Sequence, residues 1–199
     1  MKEQKDRTRA KRDEILAAAA AVFREEGYDT TSMDRIAERA GASKRTVYNH
    51  FGSKEALFEA VVGRLIEQQL QAKRVAWDPS RPLADQLRDF ARAKGAIADD
   101  PASMALMRVV LGVFIRDPQA VARLFDRYAA EEDSLVSWLQ QAHAAGALNV
   151  PEPELAASIF WSMAGGALFW PPAVFGRGVQ EPERITAELV ETFLARYGA

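Results

Sequence analysis

The chain has 199 residues, of which 48% are hydrophobic and 27% charged, enough to close one large core or two small ones and too apolar for wholesale disorder. A net charge of −2 gives no overall attraction for a polyanion, and the absence of cysteine excludes disulfides, thiolate nucleophiles and cysteine-ligated metals. No apolar run is long enough to span a membrane and the charged start does not match a signal peptide, so the expected location is the cytoplasm.

The charge is unevenly placed. Lys2, Lys5, Arg7, Arg9, Lys11 and Arg12 face only Glu3 and Asp6 within the first twelve residues, the pattern of a basic arm on a more acidic body. From about Thr8 to Glu26, Ile15, Ala18, Ala19, Val22 and Phe23 recur at helical spacing until Gly27 ends the pattern. Thr30, Thr31 and Ser32 offer caps for a two-turn helix striped by Met33, Ile36, Ala37 and Ala40 and closed by Gly41. Ser43 caps a third helix to about Phe51, and Gly52-Ser53 turns the chain into a long helix from Lys54 to about Ala76.

The segment WDPSRP (77–82) reads as a linker. Helices are expected beyond it at about 83–98, 101–116, 118–144, 154–169 and 182–197, three of them preceded by Asp-Pro or Glu-Pro, with Pro near a first turn. AAGALNVPEPE and WPPAVFGRGVQEP read as loops, and no strand pattern occurs. The expected fold is all-α, with about nine helices.

On a wheel of about 100° per residue, Val47 and Phe51 share a narrow apolar face of the third helix. Arg45 and Asn49 fall opposite, Thr46 and Tyr48 lie on the shoulders, and Lys44 and His50 flank the apolar face at the ends. Arginine and asparagine make bidentate contacts to guanine and adenine, while hydroxyls and phenols reach phosphates or thymine methyls. Two short helices joined by a Gly-containing turn after a longer helix form a helix-turn-helix, whose second helix enters the major groove. The wheel alone leaves a polar solvated face as the alternative. The basic residues 2–12 could add a salt-dependent contact to the DNA backbone or minor groove.

The segment TTSMDRIAERAGASKRTVYNHFGSKEALFEAVV (30–62) closely resembles the N-terminal module of TetR-type transcriptional regulators. The shared positions are Thr30-Thr31-Ser32, Ile36-Ala37, Ala40-Gly41, Tyr48-Asn49-His50-Phe51 and Lys54-Glu55-Ala56-Leu57, and with the preceding helix the resemblance covers residues 9–62. It implies that Ser32, Tyr48 and Lys54 hold phosphates, with Thr31 and His50 as further candidates, and that Lys44, Arg45, Thr46 and Asn49 face bases. It also implies a helix-turn-helix domain over 1–56 and an effector-binding and dimerisation domain over 57–199. The implied dimer packs about 154–169 (Leu155, Ile159, Phe160, Met163) and 182–197 (Ile185, Leu189, Phe193) as a four-helix bundle on a palindromic operator. Gly165 and Gly166 suit close approach at that seam or a kink before Pro171. The stretch 107–125 is also similar, more loosely, to one C-terminal subgroup of these regulators.

The middle helices are expected to enclose a pocket for a small apolar or amphipathic effector. Met104, Met107, Leu111 and Phe114 surround Arg108, and Trp138, His143, Phe160, Trp161, Phe169 and Trp170 add aromatic surface, although such stripes also build ordinary cores. His143 is expected to cap a helix end and Glu131, Glu132 and Asp133 to form a solvated face. The leading reading is a ligand-responsive repressor that binds double-stranded DNA as a homodimer. Alternatives are an effector-independent dimeric DNA-binding factor and an all-helical enzyme. The enzyme reading lacks support: there are two isolated histidines, no Glu-x-x-His pair and no Gly-rich phosphate loop. No catalytic residue, metal or cofactor is expected.

Overall fold

The computed structural model describes residues 2–72, 75–117, 119 and 134–199. The helices are α1 (Lys2–Glu26), α2 (Met33–Arg39), α3 (Lys44–Phe51), α4 (Lys54–Ala72), α5 (Leu83–Gly95), α6 (Pro101–Arg116), α7 (Ser134–Ala144), α8 (Pro153–Ala164), α9 (Trp170–Phe175) and α10 (Pro182–Tyr197). A 3-10 turn, Ala96–Asp99, follows α5, and a π turn, Gly165–Phe169, joins α8 to α9. The only β feature among the described residues is an isolated antiparallel bridge between Leu148 and Gly198. No described helix is long and apolar enough to cross a membrane.

The helix ends depart from expectation where local chemistry was misjudged. α1 begins at Lys2, so the basic residues form its first turns instead of an extended arm. The run Lys2–Asp13 holds no Gly or Pro and is rich in good helix formers. Trp170–Phe175, expected in a loop, is helical because Pro171 and Pro172 sit in a first turn, where a missing N–H costs nothing. The helix expected over 154–169 is interrupted: the Trp170 N–H reaches back five residues to the Gly165 carbonyl. Of the helix expected at 118–144 only α7 is described; Glu131–Asp133 and most of 107–125 beyond Asp117 lie outside the described residues.

The chain divides into two compact units, Met1–Gln68 with Ala105–Asp126, and Gln69–Met104 with Arg127–Ala199. In the first, Ile15, Leu16, Ala19, Val22 and Phe23 of α1 are buried with Met33 and Ile36 of α2, Val47 of α3 and Leu57, Phe58, Val61 and Val62 of α4. Phe23 packs edge-on to Phe58 at 5.2 Å, and Tyr28 lies 4.7 Å from Phe58.

The second unit is built round Trp138, fully buried against Trp77 at 5.2 Å and Phe90 at 6.0 Å. Its indole N–H donates to Oε1 of Gln86 at 2.9 Å, which also accepts the Asp78 N–H at 3.0 Å. The Gln86 amide donates in turn to the carbonyls of Asp78 (2.8 Å) and Arg81 (3.0 Å). The segment expected as a linker is thus a pinned turn, reinforced where Ser80 N–H and Oγ–H both donate to Asp78 Oδ1. His143 does not cap the helix end as expected but pins the loop after α7: its Nδ1 lies 3.2 Å from the Leu148 carbonyl and 3.3 Å from the Val150 N–H.

Candidate nucleic-acid interface

α3 is defined at both ends by its own side chains and one glycine. Ser43 Oγ accepts the Thr46 N–H at 3.1 Å, and Gly52, at φ 78°, closes the helix by donating to the Tyr48 carbonyl. Val47 is fully buried, and the Phe51 ring lies beneath the Arg12 guanidinium at 5.0 Å. These contacts orient the rest of α3 outward: Lys44, Arg45, Tyr48 and Asn49 are exposed, and Thr46 and His50 are half-buried.

The exposed residues are not equivalent. Arg45 and Asn49 have no side-chain partner among the described residues, so fork and amide are free to meet base edges. Lys44 instead pairs with Asp34 of α2 at 2.9 Å, an interaction that raises its pKa above the ordinary lysine value. The Thr46 hydroxyl lies 2.8 Å from Ser43 Oγ, where it reinforces the cap.

α2 is fastened to α1 by charge. Arg35 pairs with Glu26 at 2.7 Å and Glu38 at 2.9 Å, and Arg39 grips Glu25 with both terminal nitrogens. Lys11 donates to the carbonyls of Ala40 (3.1 Å) and Gly41 (3.4 Å), capping α2 from below. Of the cations expected to reach DNA, Lys11 thus braces the module from within, and Arg12 remains exposed above the Phe51 ring.

Of the residues expected at phosphates, Ser32 is exposed and caps α2 by accepting the Arg35 N–H at 3.2 Å, and Tyr48 is 42% exposed. Thr31 requires correction: it is 3% exposed and its hydroxyl donates to the Gly27 carbonyl at 2.6 Å, which removes it from the surface. Lys54 sends its ammonium into the preceding loop, donating to the carbonyls of Tyr28 (3.0 Å), Thr31 (3.1 Å) and Asp29 (3.4 Å), with the Tyr28 ring 4.5 Å away. Its hydrogen-bonding capacity is used before any DNA arrives. No local spacing signals this, because the partners are main-chain atoms more than twenty residues away.

In the same unit a cleft of about 270 Å³ is lined by Tyr28, Asp29, Glu55, Phe58, Glu59, Val113, Arg116 and Asp117. Arg116 at the end of α6 pairs with Asp29 at 2.6 Å. Tyr28 Oη lies 3.4 Å from Glu55, and burial together with that carboxylate pushes its pKa up to about 12.

The expected effector residues do not form one set. On α6, Met104 is buried, Met107, Leu111 and Phe114 are half-buried, and Arg108 is exposed. Trp138 is a core residue, fully enclosed with its only donor used by Gln86. Trp161 is half-buried, its ring 6.0 Å from Phe90.

The expected dimer residues also separate. Phe160, Leu189 and Phe193 fill the core of their own unit, Phe160 and Phe193 edge-on at 5.3 Å, because they occupy the inward stripes of α8 and α10. Met163 and Ile185 are half-buried, while Leu155 and Ile159 are 51% and 39% exposed. Three exposed apolar residues of α9 stand beside them: Trp170, which sequence reasoning placed with the effector pocket, and Val174 and Phe175, which it missed. Reading WPP as a loop concealed them. Gly165 is buried with its open side toward Lys94 and Trp170 of its own unit, whereas Gly166 is exposed with open space about it.

Comparison with known proteins gives separate matches to an N-terminal and a C-terminal stretch of the sequence. Residues 15–61 match the profile described as bacterial regulatory proteins of the tetR family. Residues 85–199, more than half of the chain, match the C-terminal domain of AefR-like transcriptional repressors. A putative TetR-family transcriptional regulator from Mesorhizobium loti MAFF303099 is 33% identical in its crystal structure, with a TM-score of 0.75 over 97% of this chain and 99% of that one. The structure of the flavonoid-responsive regulator FrrA is also 33% identical, with a TM-score of 0.76 over 95% and 97% of the two chains. Among curated proteins, the transcriptional activator FasR of Mycolicibacterium smegmatis is 32% identical over 116 residues, 57% of this chain and 52% of that protein. The chain spans about half the length of that relative.

Proposed function

The chain belongs to the TetR family of DNA-binding transcriptional regulators, not to an enzyme family, and on that premise we propose that it is a ligand-responsive repressor acting as a homodimer on a palindromic operator. The observation that carries the DNA-reading part is the outward pair Arg45 and Asn49, unpartnered on a short helix capped at both ends. Tyr48 and Ser32 flank that pair as phosphate contacts, Lys44 and Thr46 join it when DNA displaces Asp34 and Ser43, and His50 and Lys54 stand at the edges. One such helix reads only a few base pairs, so two are needed, on half-sites spaced by whole turns of about 34–36 Å.

Repression is favoured over activation because the AefR-like repressor profile covers the longer part of the chain, whereas the activator FasR matches over about half of its own length. Residues 1–56 serve as the DNA-binding domain and 57–199 as the sensing and dimerising part. For the dimer, the exposed apolar line Leu155, Ile159, Trp170, Val174 and Phe175 is the surface that a second copy covers, with Gly166 allowing close approach. The effector is a small apolar or amphipathic molecule; responsiveness to a flavonoid in the relative FrrA is in keeping with that class.

Selection of bound DNA from a random pool tests the reading. Enrichment of an inverted repeat supports a symmetric dimer; failure to enrich any sequence overturns the proposal.

A further inference from the structure

α5 meets the α8–π turn segment along a line of aromatic residues that ends at a lysine. Phe90 and Lys94 are one turn apart on α5, and Trp161, Gly165 and Phe169 follow each other at the same spacing on the opposing segment. Phe90 packs edge-on to Trp161 at 6.0 Å. One turn further on, Lys94 Cε lies 3.7 Å from where a Cβ on Gly165 would stand, and Nζ lies 5.0 Å from the centre of the Phe169 ring. Trp170 closes this end, its Nε1 also 3.7 Å from the Gly165 position and its ring 5.1 Å from Phe169.

Lys94 has the ring contact and nothing more. No carboxylate and no hydrogen-bond acceptor pairs with its ammonium among the described residues. Every fully enclosed side-chain nitrogen or oxygen among those residues has a hydrogen-bond partner, so Nζ, which has none, keeps a path to solvent. The side chain is therefore half-buried with an open, cationic tip, and its partial burial lowers the pKa from the ordinary lysine value. A ring face offsets only part of what an ammonium loses on leaving water, and a residue needed for packing alone would be apolar. The π turn beside it is a feature that recurs at functional sites, since it redirects helix groups that ordinary winding would pair.

We infer that Lys94 is the anchor of the effector site, and that the effector is a singly charged aromatic anion whose charge pairs with the Lys94 ammonium while its ring lies among Trp161, Phe169 and Trp170. One cation without a resident acid suits one negative charge, and its neighbours are flat and apolar. This rests on the ligand-responsive reading above and gives it a chemical class.

Two fluorescent probes separate charge from shape: 8-anilinonaphthalene-1-sulfonate, an aromatic monoanion, and its uncharged relative N-phenyl-1-naphthylamine. Both are titrated into the full-length wild-type, Lys94→Met and Lys94→Arg proteins, with thermal unfolding run beside each titration. Loss of a charge-assisted contact raises the Kd of the sulfonate about tenfold or more in Lys94→Met and leaves the neutral probe within about twofold. Lys94→Arg retains the sulfonate within about threefold, because the charge is kept. An equal loss of both probes, an unchanged sulfonate Kd in Lys94→Met, or a wild-type protein that binds neither probe overturns the inference. The operator selection is carried out without ligand, so its failure is distinguishable from each of these outcomes.

Discussion

Arg116, the last residue of α6, pairs at 2.6 Å with Asp29, which lies in the turn that leads from α1 into the helix-turn-helix. The two are 87 residues apart in the chain, and both side chains are more than half exposed. Such a pair contributes little to global stability, within about 1 kcal/mol, and is screened by salt. A double-mutant cycle on Arg116→Met and Asp29→Asn should thus show a small coupling in unfolding free energy that shrinks at high salt. A larger coupling in the loss of operator affinity on ligand addition is expected, because the pair joins α6 to the reading module.

Arg45→Ala should relax sequence specificity by about 1–3 kcal/mol at one base position, while Tyr48→Phe should weaken specific and scrambled DNA alike. Fluorescence anisotropy titrations on both kinds of DNA at several salt concentrations separate the two. An unchanged specificity ratio for Arg45→Ala would remove it as a base reader.

Lys54→Met should both melt earlier and bind DNA less tightly. Three main-chain carbonyls lose a charged donor, a cost of about 1–3 kcal/mol in unfolding free energy. Chemical denaturation of the apo protein measures this term without DNA; no change there would confine Lys54 to phosphate binding.

Gln86→Leu should be among the most destabilising single changes in the second unit, costing about 2–4 kcal/mol. It strands the buried Trp138 N–H together with the Asp78 and Arg81 main-chain groups that Gln86 satisfies. Near-ultraviolet circular dichroism and thermal unfolding report the loss, and a full-strength native melt would contradict it.

Tyr28 gives an alkaline signature. Burial and the Glu55 carboxylate raise its folded pKa from 10.0 to about 12, so the unfolded chain loses this proton first. Its contribution is fully present below pH 10 and falls as pH rises toward 12, since the folded state then binds more protons than the unfolded one. Urea titrations across that window should show a steeper fall in the wild type than in Tyr28→Phe; parallel curves would contradict the shift.

The DNA-reading module was legible in the sequence because its information is local. Caps at Ser32, Ser43 and Ser53, glycines at 27, 41 and 52, and the inward Val47 all act within four residues of the atoms they govern. Partners distant in the chain were not legible. Lys54 was assigned to phosphate and spends its donors on carbonyls, while Lys11 and Arg12 were assigned to an arm and contact the Ala40 carbonyl and the Phe51 ring of their own module. The second unit was harder still, since a stripe such as Phe160, Leu189 and Phe193 looks the same whether it faces its own core or a second copy. Lys94 carries no sequence signal, as its meaning lies in having no acid paired with its ammonium among the described residues, although α8 and α10 both carry glutamates.

The turn at Gly165–Phe169 is wound wider than the α-helix on either side of it. It holds one residue more than an α-helical turn, so tightening it would rotate everything downstream by about 100° and advance it by about 1.5 Å. Trp170, Val174 and Phe175, now outward, would swing to a different side of the rod, while Phe169 would leave the Lys94 ammonium. Phe169 and the apolar face of α9 thus ride on the same length of helix, and a single residue's worth of slack would move both together.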